Sequence, residues 1–466
     1  YHDARKANAH DDDRDCRWWE GTLNKIAQIE TNSVLEARLK AAHSGCHRIS
    51  AGTAAPHLWR KICGDADLMS GIVAHAGAKL GIFLLTLALL IAAVPAMSAE
   101  PLAWTRSWTS SMWQGTSRHT LEIENATIRM EVRVGAAGQA LRLRLSNEYG
   151  DAPLTIGAMT IRRADGQVEQ VMFDGSPTTR IWATTPLVSD PVAMPVEAFE
   201  LVQVTVYFPH KVSLSTIHGV RGEPTSVSAR GDHSANPAFT AERSHDYRPL
   251  LAGIDVLSTA PRPVIIAYGD SITDNVGCAN AARVICRWSE VLGRRLTAAG
   301  MPHVVVTQAI GANRLLYAGV GPSALARFDR DVLAVPGVSH VVLLEGINDI
   351  GNSGPENLLT AADLVRGYRQ IISRAHDFGI KVYASPILPW KGASRFTDER
   401  EAIREAVNRW IRTSGEFDGV IDFDTVVADP ADPQRLAPQL QLGDNLHPNG
   451  EGETAMGNGV PIKLFR

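Results

Sequence analysis

Ser271 stands in the run Gly269-Asp270-Ser271-Ile272, and a serine hydroxyl becomes a nucleophile once a base can take its proton. The chain offers such a base near its C-terminus, in Asp444-Asn-Leu-His447. A carboxylate and an imidazole three residues apart meet within one helical or near-helical turn. Asp444 can then orient the ring and stabilise imidazolium, while the other ring nitrogen accepts the proton of Ser271. Asn348, in Gly346-Ile-Asn348-Asp349, carries a side-chain amide able to donate to a carbonyl oxygen as it gains charge. Each piece also has a plainer use. Asp270 or Ser271 can cap a helix, and so can Asp444. A lone histidine is more often structural, and Asn-Asp is ordinary turn composition. The chemistry exists only if these residues meet, so the elements that carry them decide the matter.

After Pro263, apolar runs alternate with helical patterns. Strands are predicted at 264–268, 304–308, 341–345, 381–384 and 420–423. Helices are predicted around 284–296, along Leu364, Tyr368, Ile371 and Ala375, and from a Thr397 cap that carries Ile403, Val407, Trp410 and Ile411 inward. Such runs suit a parallel sheet covered on both faces. Ligands of an open parallel sheet bind beyond the carboxyl ends of its strands. There the first three strands are followed by Gly269-Asp270-Ser271-Ile272, by Ala309-Ile-Gly311-Ala312-Asn313 and by Gly346-Ile-Asn348-Asp349. If the strands are neighbours, the three clusters share one edge.

Upstream, from 104 to about 259, the pattern is one of short strands and turns. Segments 127–134 and 140–145 bracket Gly135-Ala-Ala-Gly138, and Leu141, Leu143 and Leu145 alternate with Arg142 and Arg144, as a half-buried hairpin requires. In 201–208, Val202, Val204 and Val206 share a face. An antiparallel β-sandwich over 100–259 is the consistent reading, joined through Ser258-Thr-Ala-Pro-Arg-Pro263 to an α/β domain over 260–466.

Further upstream, Lys79 precedes an apolar stretch, 80–94, that ends in Ala96-Met-Ser-Ala99. Segment 69–99 therefore reads as a signal peptide cleaved before Glu100, and 1–68 as a non-native or disordered leader. The stretch is short of the roughly 20 apolar residues of a membrane span, although 80–99 would serve as an anchor if uncleaved. A secreted or periplasmic protein is the expectation. Cys278 and Cys286 would remain after cleavage, and two cysteines in an oxidising compartment point to one disulfide, with two independent buried thiols as the alternative. The 46 Lys and Arg against 50 Asp and Glu provide no basic excess for a nucleic-acid partner. No G-x-S-x-G, H-E-x-x-H, P-loop or G-x-G-x-x-G after a strand occurs, so nothing calls for a metal or cofactor.

The ordered set Gly269-Asp-Ser271-Ile, Gly311-Ala312-Asn-Arg314, Gly346-Ile-Asn348-Asp and Asp444-x-x-His447 resembles the blocks of SGNH/GDSL hydrolases over roughly 263–466. The upstream region, from Trp104 through Leu145-Ser-Asn147 to Gly253-Ile-Asp-Val256, resembles a β-domain that bacterial members often carry. The resemblance implies a flavodoxin-like three-layer α/β/α domain and ester hydrolysis through an acyl-enzyme, without cofactor, metal or obligate protein partner. It implies Ser271, Asp444 and His447 as a catalytic triad. Backbone N–H groups of Ser271 and Ala312 and the side chain of Asn348 would form the oxyanion hole, with Gly269, Asp270, Gly311 and Gly346 in support. One departure concerns that hole, because members commonly have Gly where this chain has Ala312. Alanine keeps the N–H but resists a positive φ, if the position requires one. Acetylated carbohydrate is the substrate class the resemblance favours, and Trp390 is a residue that could stack on sugar. Two alternatives stand beside the esterase: an O-acyltransferase using the same triad, and an inactive polysaccharide-binding protein.

Overall fold

A computed structural model describes residues 102–219, 223–274, 278, 285–354 and 359–466. The signal peptide and leader read from the sequence lie outside the described residues. Among those residues, no helix is long and apolar enough to cross a membrane.

The region up to Ser258 forms two main antiparallel sheets. One has the order Ala103–Thr109, Leu251–Ser258, Ala140–Ser146, Pro186–Val188. The other runs Ala241–His245, Thr225–Arg230, Ala126–Arg133, Leu201–Phe208, Ala158–Arg163, Val168–Gln170. Period-two burial turns Leu141, Leu143 and Leu145 of the first, and Ile128, Met130, Val202 and Val204 of the second, into one apolar cluster. The intervening arginines have a partner too. Arg142 and Arg144, with Arg106, converge on the buried carboxylate of Asp255.

The hairpin expected between 127–134 and 140–145 does not form. Ala126–Arg133 pairs with Leu201–Phe208 and Thr225–Arg230, while Ala140–Ser146 pairs with Leu251–Ser258 and Pro186–Val188. The connection crosses from one sheet to the other, with Gly138 bridged to Val196. Alternation dictates which face a strand buries and is silent on which strand it pairs with.

The second region holds a parallel sheet of β1 (Val264–Gly269), β2 (Val304–Ala309), β3 (Val338–Leu344), β4 (Lys381–Ala384) and β5 (Gly419–Val420). Its strand order is β2-β1-β3-β4-β5. Every residue of β1 is buried, as a central strand covered on both faces must be. The helices are α1 (Ser271–Asp274), α2 (Trp288–Ala298), α3 (Ala324–Phe328), α4 (Ile347–Asn352), α5 (Ala361–His376), α6 (Asp398–Thr413), α7 (Phe423–Val427) and α8 (Gly450–Gly459). Thr397 does cap α6, accepting from the Arg400 amide; Val407 and Ile411 are buried, but Ile403 and Trp410 only half so. The strand predicted at 420–423 stops at Val420, because Asp422 caps α7 by accepting from the Thr425 amide. Cys278 and Cys286 are joined by a disulfide, with Cα atoms 6.0 Å apart.

The sandwich rests on edge strand β2. Thr109 Oγ1 donates to the Thr307 carbonyl at 2.6 Å, and Ser111 Oγ to Gln308 Oε1 at 2.6 Å. Such cover protects an edge that would otherwise be open for pairing.

Candidate active site

Gly269 is level with Ala309 of β2 and Leu344 of β3, so the three loops that follow leave the sheet side by side. The first is tight enough to require glycine: a Cβ on Gly269 would stand 2.7 Å from the Leu344 carbonyl oxygen. The chain then enters α1, with Asp270 Oδ1 accepting from the Ile272 amide at 3.0 Å. Ser271, 8% exposed, begins the helix.

Its Oγ lies 2.9 Å from His447 Nε2, and His447 Nδ1 lies 2.6 Å from Asp444 Oδ2. Because a carboxylate only accepts, the ring proton sits on Nδ1 and leaves Nε2 to accept from the serine. The Asp–His pair meets in a turn ahead of α8 rather than in a helix. Asn445 has φ +57°, and Asp444 Oδ1 caps the Leu446 and His447 amides at 3.0 and 2.9 Å. Burial raises the Asp444 carboxyl, but the His447 ring and those two amides outweigh it and hold the group below its ordinary value.

The second loop places Ala312 at φ +61°, exposed at the surface, with Gly311 beside it. This is the left-handed conformation that the sequence put in question for alanine. Next to it, Asn313 is fully buried and donates to the carbonyls of Val320 and Pro322 at 3.1 and 2.8 Å. Those bonds tie the loop down around a residue that does not favour its own backbone angles. Asp349 pins the loop further on, accepting from the Leu315 and Leu316 amides at 2.7 and 3.0 Å.

The third loop turns at Gly346, whose φ of +117° is a glycine conformation. It delivers Asn348 onto α4, half-buried, with Nδ2 donating to Asp270 Oδ2 at 3.1 Å. One amide hydrogen is thereby used to orient the group, and the second remains for a ligand. Ser271, Ala312, Asn348, Asp444 and His447 thus gather at one sheet edge, with Gly269, Asp270, Gly311 and Gly346 shaping the turns between them.

Beneath this edge sits a cluster of buried charge that sequence reading did not find. Burial pushes Asp270 up to about 7, against the pull of the Ile272 amide. It pushes Asp349 up to about 6, against the Leu316 and Leu315 amides. Burial and then the charge of Asp270 drive Glu345 well above its usual range. The counter-charge is Arg327 on α3, whose Nη1 reaches Asp331 at 3.0 Å and whose Nη2 reaches Glu345 at 3.3 Å. From the sandwich, His218 places Nε2 2.9 Å from Asp274 Oδ1 at the end of α1, and Nδ1 2.8 Å from the Ser111 carbonyl. Asp331 is four residues from Arg327, but spacing does not reveal the partners that tie Arg327 and His218 to this edge, which lie 14 to 107 residues away. Trp390 belongs to the core instead: it is 2% exposed, and its Nε1 donates to Glu401. Among the described residues, no His, Cys, Asp and Glu cluster has an arrangement that could hold a metal ion.

Comparison with known proteins adds a family. Residues 267–455 match the model described as the GDSL-like Lipase/Acylhydrolase family. Among solved structures, an acetyl xylan esterase from Geobacillus stearothermophilus is 17% identical, covering 43% of this chain and 94% of its own, with a TM-score of 0.35. A lipase/acylhydrolase from Enterococcus faecalis is 18% identical, covering 43% of this chain and 95% of its own, with a TM-score of 0.33. No curated protein matches the chain.

Proposed function

We infer, from the premise that this chain belongs to the SGNH/GDSL hydrolases through residues 267–455, that it is a serine esterase cleaving carboxylic esters by way of an acyl-enzyme. The observation that carries this reading is the unbroken relay from Ser271 Oγ to His447 Nε2 at 2.9 Å and from His447 Nδ1 to Asp444 Oδ2 at 2.6 Å. The strand order β2-β1-β3-β4-β5 is that of flavodoxin-like sheets and supports a three-layer α/β/α reading of the domain.

In the first half-reaction, Ser271 Oγ attacks the ester carbonyl carbon while His447 Nε2 takes its proton. Asp444 stabilises the imidazolium that results. The carbonyl oxygen, now an alkoxide, faces the N–H groups of Ser271 and Ala312 and the free hydrogen of the Asn348 amide. Collapse breaks the bond to the alcohol, which leaves with the proton from His447. Water then attacks the acyl-enzyme with His447 as base, and the carboxylic acid departs as Ser271 regains its proton. Acetylated carbohydrate is the substrate class we propose, following the resemblance carried by the sequence motifs of residues 263–466.

The test is turnover of nitrophenyl esters of increasing chain length, followed by acetylated polysaccharide, by wild type and Ser271→Ala. Wild-type turnover that is greatest on acetyl esters and abolished by Ser271→Ala is the expected result. Near-wild-type activity in a folded, contaminant-free Ser271→Ala preparation would sink the mechanism, and a preference for long acyl chains would sink the substrate class.

A further inference from the structure

Arg327 takes no part in the reaction described above, yet its guanidinium touches all three loops that carry it. The side chain is fully buried, at 0% exposure. Nη2 donates to the Gly269 carbonyl at 2.9 Å, two residues ahead of Ser271. Nη1 donates to the Gln308 carbonyl at 3.0 Å, and Nε to Asn313 Oδ1 at 2.9 Å, so the loop holding Ala312 is gripped on both sides. Nη2 also reaches Glu345 Oε1 at 3.3 Å, immediately before Gly346 and three residues before Asn348. A further connection leads to the upstream antiparallel region, from Nη1 to Ser111 Oγ at 3.3 Å.

Two physical points give this arrangement a purpose beyond packing. A planar fork of five N–H donors holds several acceptors at set angles, which the rotating point charge of a lysine cannot do. And the loop it grips contains Ala312 in a left-handed conformation that an alanine resists, so that conformation persists only if its surroundings over-determine it. Asn313, the next residue, has its oxygen on Arg327 and its nitrogen on two loop carbonyls.

We propose that Arg327 is a positioning residue of the esterase reaction, setting the spacing of the Ser271 amide, the Ala312 amide and the Asn348 side chain through the strand ends behind them. The inference rests on the reading of Ser271 as nucleophile. It also gives the β-sandwich a share in the site, because Ser111 is one of the groups that hold the guanidinium.

The experiment is Arg327→Lys, which keeps the charge and loses the fork, assayed on p-nitrophenyl acetate alone and combined with Asn348→Ala. Displacing catalytic groups by a fraction of an ångström to an ångström costs up to about 10²-fold. The expected result is therefore a fall in kcat of about 10–100-fold with KM within about threefold, in protein that still unfolds cooperatively. In the Asn348→Ala background the same substitution should cost a clearly smaller factor, since part of what Arg327 positions is already gone. A purely structural role would multiply through unchanged. A folded Arg327→Lys with kcat within twofold of wild type, or with an undiminished factor in the double variant, would overturn the proposal. Should Arg327→Lys fail to fold, Asn313→Ala, which cuts the link to the Ala312 loop and leaves the guanidinium in place, is read by the same two criteria. An inactive wild type, or a fully active Ser271→Ala, would instead overturn the esterase reading on which this one stands.

Discussion

Asp444 and Asp270 both lie within two residue contacts of Ser271, yet their surroundings are opposite. The Asp444 side chain is 47% exposed and receives its hydrogen bonds from the His447 ring and two local amides, within a turn of four residues. Asp270 is 1% exposed and receives one amide from its own turn and one from Asn348, 78 residues away. The first carboxyl is held below its ordinary value and stays charged, as a partner of imidazolium must. Burial pushes the second up to about 7 and leaves it to orient an amide. A carboxylate's task in this site is set by its donors and its access to water, not by its residue type.

The sharpest way to break that contrast is Asp444→Asn. An amide can favour the wrong imidazole tautomer and cannot stabilise imidazolium, so kcat should fall by about 10⁴-fold with the fold intact. Steady-state kinetics on an acetyl ester showing less than a tenfold loss would mean that the exposed carboxylate is not the relay's end. On the buried side, Asn348→Ala removes one oxyanion donor and should lower kcat by about 10²–10³-fold while leaving the Ser271–His447 contact in place. A change confined to KM would show that Asn348 binds substrate uniformly rather than the developing charge.

Glu453, on α8, extends the comparison to stability. It is 1% exposed, accepts from the Trp288 amide at 2.9 Å, and is pushed up by burial to about 8. Since the folded state keeps a proton that the unfolded chain gives up from about 4.5, this group's contribution to stability is lost as pH rises from about 4.5 to about 8. Glu453→Gln should therefore stabilise the protein at pH 9 by roughly 1–3 kcal/mol relative to wild type and change little at pH 5. Urea unfolding at both values checks it, and an equal effect at each would refute the assignment. The smallest effect concerns Ala312→Gly. Relief of the left-handed alanine, offset by the greater freedom of an unfolded glycine, should leave a gain of about 0.5–1 kcal/mol in the same unfolding assay. A loss of stability would mean that the Ala312 methyl makes contacts worth more than its strain.

Much of the fold, and the residues of the candidate site, were legible in the sequence. Period-two alternation marks Leu141, Leu143 and Leu145 as core residues, and the apolar runs ahead of Gly269, Ala309 and Gly346 mark parallel strands with chemistry at their ends, because burial on a given face imprints the sequence directly. The Asp444–His447 pair was readable for a similar reason: its geometry is local. What periodicity and local spacing left undecided was strand pairing and the contacts of side chains whose partners are distant in the chain. Which sheet receives Ala140–Ser146, whether Trp390 meets sugar or Glu401, and whether Ala312 turns left-handed are settled by contacts across the core. Arg327 is the clearest case, since beyond Asp331 its acceptors arrive from three strand ends and from the upstream antiparallel region. A residue's pattern along the chain records the face it presents to water, whereas its role in a site depends on groups that only the folded chain brings within hydrogen-bonding distance.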